Sequence, residues 1–202
     1  DLLASTRKEI KSYQNQLANI EREIKSTERE IERLVREALA ASNKNTSNKS
    51  SSSFTLTPEG KALAKSFEQN KGKLPWPVER GYLKIGYGEH PSDLDPKLKI
   101  FSNGYRIVTG ADQEARAVFR GTVFKILGAN KSGRGVSVML QHGDYFTVYS
   151  NLSAIYVKVG DAVENKQAIG KIMPSENNTA ELRFSIYRNP KFIDPSGWLA
   201  KK

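Results

Sequence analysis

The sequence predicts an α+β chain: an N-terminal coiled-coil helix followed by a mainly antiparallel all-β domain. Three observations carry that prediction. A heptad repeat runs through residues 1–41, a polar low-complexity stretch interrupts it at 42–53, and from residue 73 the chain breaks into short runs rich in Val, Ile, Phe and Tyr separated by Gly, Asn and Asp. With 202 residues there is room for one ordinary domain and an extended segment.

In the first segment, Leu3, Ile10, Leu17, Ile24 and Ile31 recur every seven residues, with Tyr13, Ile20 and Leu34 three residues after members of that set. Alternating charges such as Glu28-Arg29-Glu30-Ile31-Glu32-Arg33 suit a solvated helix, and neither Gly nor Pro interrupts before Ala41. Thr6 and Thr27 occupy the second seam position, so the seam is imperfect. An antiparallel hairpin, a parallel dimer and a helix packed on its own domain all remain open. Residues 42–53, all Ser, Asn, Lys or Thr, have nothing to bury and are expected to form a flexible linker. A short helix is expected within 54–72, with Thr57 as N-cap, Pro58 in the first turn, Leu63, Ala64 and Phe67 on one face, and Gly72 as terminator. Its apolar stripe needs a surface, and one expectation is that it covers a groove of the following domain as a regulatory element.

In the domain 73–202 the expected strands are Tyr105–Val108, Ala115–Phe119, Gly121–Ile126, Val136–Gln141, Tyr145–Ser150, Val157–Val163, Ala168–Ile172 and Glu181–Tyr187, suggesting a sandwich or an open barrel. Gly133-Arg134-Gly135 and His142-Gly143-Asp144 read as hairpin turns. Gly133-Arg134-Gly135 lacks the following helix a phosphate loop requires.

The net charge of +10 belongs to the globular part: residues 1–41 hold eight basic and eight acidic residues, leaving 24 against 14 in 42–202. A basic domain suits an anionic polymer, a membrane surface or an acidic protein, while the scattered placement of the charges and the lack of a recognition motif argue against nucleic acid. Zero cysteines exclude disulfides and thiolate metal sites. The start at Asp1, and the lack of an apolar run near the roughly 20 residues of a membrane span, predict a soluble piece of a longer protein without a transmembrane segment. Two histidines are present. His142, beside Gly143, is expected to be structural, and His90, with Asp93 and Asp95 in a Pro-rich loop, is expected to be exposed. Neither has a Ser or Asp partner at the spacing of a hydrolytic triad.

Landmarks in order along residues 73–199 resemble the LytM-type, lysostaphin-like zinc endopeptidases of peptidase family M23, and most closely the murein hydrolase activator EnvC group. They are Leu74-Pro75-Trp76-Pro77-Val78; Ala115 to Val123; Gln141-His142-Gly143; Thr147 to Ser153; Val157-Lys158-Val159-Gly160-Asp161-Ala162-Val163; Gln167-Ala168-Ile169-Gly170; and Asp194-Pro195 with Trp198-Leu199. The resemblance implies a duplicated hybrid-motif β fold and a zinc site built from H-x-x-x-D and the second His of H-x-H. Set on the glycine of H-x-G-x-D, Gly104 places Ser102 at the first His and Arg106 at the Asp. The H-L-H-F-E motif becomes Glu181-Leu182-Arg183-Phe184-Ser185, so Arg183 stands for the third ligand and Glu181 for a catalytic His. Asn151 replaces the other catalytic His in Tyr149-Ser150-Asn151-Leu152. No zinc and no other cofactor is therefore expected, because guanidinium cannot become a ligand. A Glu181 ion pair to Arg106 or Arg183 is expected in the metal's place.

The resemblance thus implies a non-enzymatic envelope regulator, periplasmic or otherwise extracytoplasmic. The implied function is activation of peptidoglycan (N-acetylmuramoyl-L-alanine) amidases during cell separation, with the coiled coil contacting a membrane division complex. The expected partner groove holds Ser102, Tyr105, Arg106, Tyr149, Asn151, Glu181 and Arg183. A peptidoglycan-binding module is the alternative, and a residual zinc endopeptidase the third reading.

Overall fold

The unbroken heptad segment forms one helix, α1 (Leu2–Asn43), in the computed structural model, which describes residues 2–43, 54–92, 97, 99–128, 135–188 and 191–201. The linker 44–53, the Asp93 and Asp95 loop, and Gly133-Arg134 lie outside the described residues. Helix α2 (Pro58–Gln69) starts where its capping chemistry dictates: Thr57 Oγ1 accepts from the Gly60 amide at 3.1 Å, and Pro58 occupies the first turn. Gly72, at φ +77°, turns the chain out of the helical region.

Twelve strands follow among the described residues. The first six are β1 (Tyr82–Ile85), β2 (Gly88–Pro91), β3 (Lys99–Ser102), β4 (Tyr105–Gly110), β5 (Glu114–Arg116) and β6 (Gly121–Leu127). The rest are β7 (Val136–His142), β8 (Tyr145–Ile155), β9 (Ala162–Val163), β10 (Ala168–Ile172), β11 (Thr179–Arg188) and β12 (Lys191–Ile193). A ten-stranded antiparallel sheet runs in the order β1-β4-β11-β8-β7-β6-β9, with β10 joining β5 to β8 and β12 flanking β11. Strands β2 and β3 form a separate pair. His90 thus lies in a strand opposite Ile100, its Nε2 3.0 Å from the Gly86 carbonyl oxygen, and not in the loop expected. Two expected strands are shorter than anticipated. Ala115–Phe119 reduces to Glu114–Arg116, and Val157–Val163 to Ala162–Val163.

Alternation along the central strands separates two apolar clusters on opposite faces of the sheet. On one face Tyr105, Ile107, Val138, Leu140, Tyr149, Leu182, Phe184 and Ile186 form the main core with Ala115, Ile169 and Ile172. Helix α2 belongs to this core. Phe67 is fully buried, its ring 4.8 Å from His142, 5.0 Å from Tyr145, 5.1 Å from Trp198 and 5.4 Å from Phe119. Residues Leu127, Met139, Phe146, Val148 and Tyr187 line the opposite face, where Ile31 and Val35 of α1 pack against them. Burying each such aliphatic side chain is worth roughly 1.5–3 kcal/mol.

The heptad seam is therefore used in cis. Ile24, Ile31 and Val35 are buried, and Leu17, Ile20 and Leu34 are half-buried. Toward its N-terminus the helix leaves the domain, with Ile10 and Tyr13 exposed at 52% and 61%. Thr27, one of the two polar residues in the seam, donates its hydroxyl to the Glu23 carbonyl one turn back, which satisfies it within the helix.

Candidate functional site

The residues expected at zinc and catalytic positions lie on or beside the face that α1 covers. Arg106 on β4 pairs directly with Arg183 on β11, and Arg183 pairs on its other side with Ser150 on β8. Directly opposed residues on one face of an antiparallel sheet hold their Cβ atoms about 4.5–5.5 Å apart, so the two cationic side chains leave the sheet as neighbours. Such a like-charge pair is unfavourable on its own.

Helix α1 supplies the compensation. Glu21 accepts two hydrogen bonds from Arg106, Nη1 to Oε1 at 3.0 Å and Nη2 to Oε2 at 3.4 Å, giving the fork-to-fork geometry of a strong Arg–carboxylate pair. Two turns on, Glu28 Oε2 accepts from Asn103 Nδ2 at 3.1 Å. Glu21, Ile24, Glu28, Ile31 and Val35 recur at helical spacing, so one face carries both the acidic contacts and the apolar anchor. Burial is the largest influence on Glu28 and raises its carboxyl above the usual range, against the opposing hydrogen bond from Asn103 and the charges of Arg106 and Arg183. Burial likewise lowers the Arg183 guanidinium from its ordinary value, with Glu181 opposing and Arg106 reinforcing the shift.

The structure gathers Arg106, Asn151, Glu181 and Arg183 on this face, and Ser102 at its rim. Ser102 is buried and donates its hydroxyl to the Gly104 carbonyl at 2.9 Å. Asn151 sits in the left-handed region at φ +73° and donates Nδ2 to the Glu181 carbonyl at 2.7 Å, linking β8 to β11. Asn151, Glu181 and Arg183 line a cavity of about 420 Å³ whose roof is Ile20, Glu23, Thr27 and Glu30 of α1.

Three expectations need correction. The carboxylate paired with Arg106 is Glu21, whereas Glu181 pairs with Lys84 Nζ of β1 at 3.2 Å, so no Glu181–Arg cross-link replaces the metal. Tyr149 and Tyr105 face the main core instead of the groove. Tyr149 is fully buried, its hydroxyl accepting from the Val118 amide at 2.9 Å, and Tyr105 packs near Trp76. Lastly, α2 does not cover the groove; that position belongs to α1.

His142 is structural, as expected. Nδ1 lies 2.7 Å from the Arg120 carbonyl oxygen and Nε2 2.8 Å from Thr147 Oγ1, and burial pushes the imidazole down to about 4. Sequence reasoning missed Glu21, Glu28, Asn103, Lys84 and Ser150. For the two glutamates a signal was present: they stand seven apart beside the seam, facing a domain with a large excess of basic charge.

The fold implies a zinc ion, and the residues present do not fit one. Ser102, Arg106 and Arg183 provide neither three ligands nor an anionic environment, and Arg106 is committed to Glu21. Among the described residues no group of three or more His, Cys, Asp or Glu side chains stands close enough to hold a metal ion. No described helix is long and apolar enough to cross a membrane.

The family model for peptidase family M23 matches residues 100–195. A comparison with curated proteins returned no match. Among solved structures, Csd3 of Helicobacter pylori is 21% identical with a TM-score of 0.52, the alignment covering 64% of this chain and 35% of that one. The SpoIIQ–SpoIIIAH pore-forming complex matches with 23% identity and a TM-score of 0.52, over 65% of this chain and 93% of that one. At these identities the likeness is one of fold. The match over residues 100–195 and the likeness in fold agree: this part of the chain is similar to the LytM-type domains of peptidase family M23.

Proposed function

We propose that the chain is a non-catalytic regulator of the bacterial cell envelope whose former peptidase groove docks a protein partner, with α1 occupying that groove until it is displaced. The observation that carries the reading is the Glu21–Arg106 pair, in which a helix of the same chain is held at the position where an active relative would hold its metal. A groove without ligands has no means of activating water through a metal, but it retains the shape and charge for binding. Arg106 and Arg183 suit an acidic segment, and the partner class is a peptidoglycan amidase in an extracytoplasmic compartment. The named SpoIIQ–SpoIIIAH complex supports partner binding on this fold.

In a dye-release assay on purified peptidoglycan, the chain lacking residues 1–43 is expected to stimulate an envelope amidase more strongly than the full chain, and neither is expected to release dye alone. Retention on sacculi without any amidase stimulation would favour the peptidoglycan-binding module. Dye release by the chain alone, abolished by a chelator, would favour the endopeptidase.

A further inference from the structure

We infer that Asn103-Gly104 is a deamidation site which the docked α1 protects, and whose reaction makes release of the helix irreversible. The inference rests on α1 covering the groove, and not on the identity of the partner.

Asn103-Gly104 is the sole Asn-Gly pair in the sequence. In such a pair no Cβ on the following residue hinders attack by its backbone nitrogen. Packing fixes glycine here. A Cβ at Gly104 would collide with the Phe184 carbonyl and lie 2.9 Å from Ser185 Cβ, so the reactive dipeptide comes with the turn that joins β3 to β4. The Asn103 side chain is half-buried, and its amide nitrogen, the group that must leave, is held by Glu28 of α1 at 3.1 Å. While the helix is docked, the amide is fixed by a charge-assisted hydrogen bond and covered by the helix. Once the helix lifts, the side chain is free to turn toward its own backbone.

The chemistry needs only water. The Gly104 nitrogen attacks Asn103 Cγ, and the new C–N bond forms as the C–NH2 bond breaks. Ammonia departs carrying the proton lost from the Gly104 amide. Water then opens the succinimide at either carbonyl, leaving an aspartyl or isoaspartyl residue at position 103. The new carboxylate faces Glu28, whose own ionisation burial already opposes. Two carboxylates at that distance cannot both ionise cheaply, so the helix redocks poorly. An isoaspartyl link would also lengthen the backbone in a turn with no slack against Phe184.

The test uses the full chain in mildly alkaline buffer, following conversion at position 103 by peptide-mapping mass spectrometry and α1 docking by hydrogen exchange. Releasing the helix with Ile31→Asp, or with Glu21→Arg should the first variant aggregate, is expected to speed conversion about tenfold, the weight of one charge-assisted hydrogen bond. Asn103→Asp, which mimics the product, is expected to lower protection of the docked helix about tenfold, whereas Asn103→Gln keeps most of it. Equal conversion rates in the docked and released chains would overturn the protection. An Asn103→Asp chain as protected as the parent would overturn the irreversibility. No amidase enters either measurement, so failure of the partner reading leaves both results interpretable.

Discussion

Replacing Glu21 by Gln removes one charge and keeps the shape, which isolates the contribution of the pair to docking. The Arg106 side chain is 10% exposed and that of Glu21 is 23% exposed, so solvent screens them only partly. At an effective dielectric near 20 and about 4 Å, two unit charges attract by about 4 kcal/mol. Desolvation of both groups offsets part of that, leaving about 2 kcal/mol for a hydrogen-bonded charged pair. The loss corresponds to about a thirtyfold shift in the local docking equilibrium. It acts unevenly along the helix, because the apolar anchor of Ile31 and Val35 against Met139, Phe146 and Tyr187 is untouched. Amide exchange in Glu21→Gln is thus expected to accelerate over residues 17–27 and to change little over 31–38. The double reversal, Glu21→Arg with Arg106→Glu, should restore protection. If exchange over 17–27 matched the parent, or the double reversal failed to recover it, the ion pair would not be what holds the helix over the groove.

Two further outcomes follow from the core face. Phe67→Ala should lower domain stability by about 3–5 kcal/mol, read by chemical denaturation, because the ring sits among four aromatic neighbours. A change under 1 kcal/mol would place α2 outside the cooperative core. His142, titrating near 4 when folded and near 6.5 when unfolded, stabilises the fold fully above the unfolded value; this contribution falls away as pH drops from about 6.5 to 4, by about 3 kcal/mol. The stability gap between the parent and His142→Gln should therefore narrow over that window, and a gap independent of pH would refute the neutral buried imidazole.

Much of the fold was legible because it rests on local chemistry. The Thr57-Pro58 start of α2 and the hairpin at Gly143, with φ +77°, are dictated by residues adjacent in sequence. Strands β1, β2 and β3 were not recovered, because Gly86, Gly88 and Pro91 punctuate them and only cross-strand pairing makes them strands. Tyr149 was misplaced for a more instructive reason. A motif names neighbours in sequence, but alternation sends neighbours to opposite faces, so of Tyr149 and Ser150 only Ser150 can share a face with Arg183. Thr6 and Thr27 signalled that the seam was no ordinary coiled coil, yet which surface took its place depends on contacts more than eighty residues away, such as Glu21 to Arg106.

That long-range contact also explains why Arg106 and Arg183, the residues expected where a relative has zinc ligands, belong together. In a metal-bearing relative the dication ties neighbouring strands and neutralises its carboxylate ligand. Here Arg106 and Arg183 stand opposite one another across β4 and β11, an arrangement that repels unless an anion is brought to it. The sheet face itself offers Glu181, but Lys84 engages that carboxylate. The remaining charge must come from another segment, and Glu21 supplies it on a helix whose apolar edge fits the adjacent face. Electrostatics and burial thus select the same register, since sliding α1 by one residue would rotate Glu21 off Arg106 and Val35 off its apolar site together. A partner that displaces α1 must answer both demands, a carboxylate for Arg106 and an aliphatic side chain about 20 Å further along its axis, the rise of the 14 residues from Glu21 to Val35. A partner that satisfied only the charge would leave Met139, Phe146 and Val148 open to water and would lose to the helix already there.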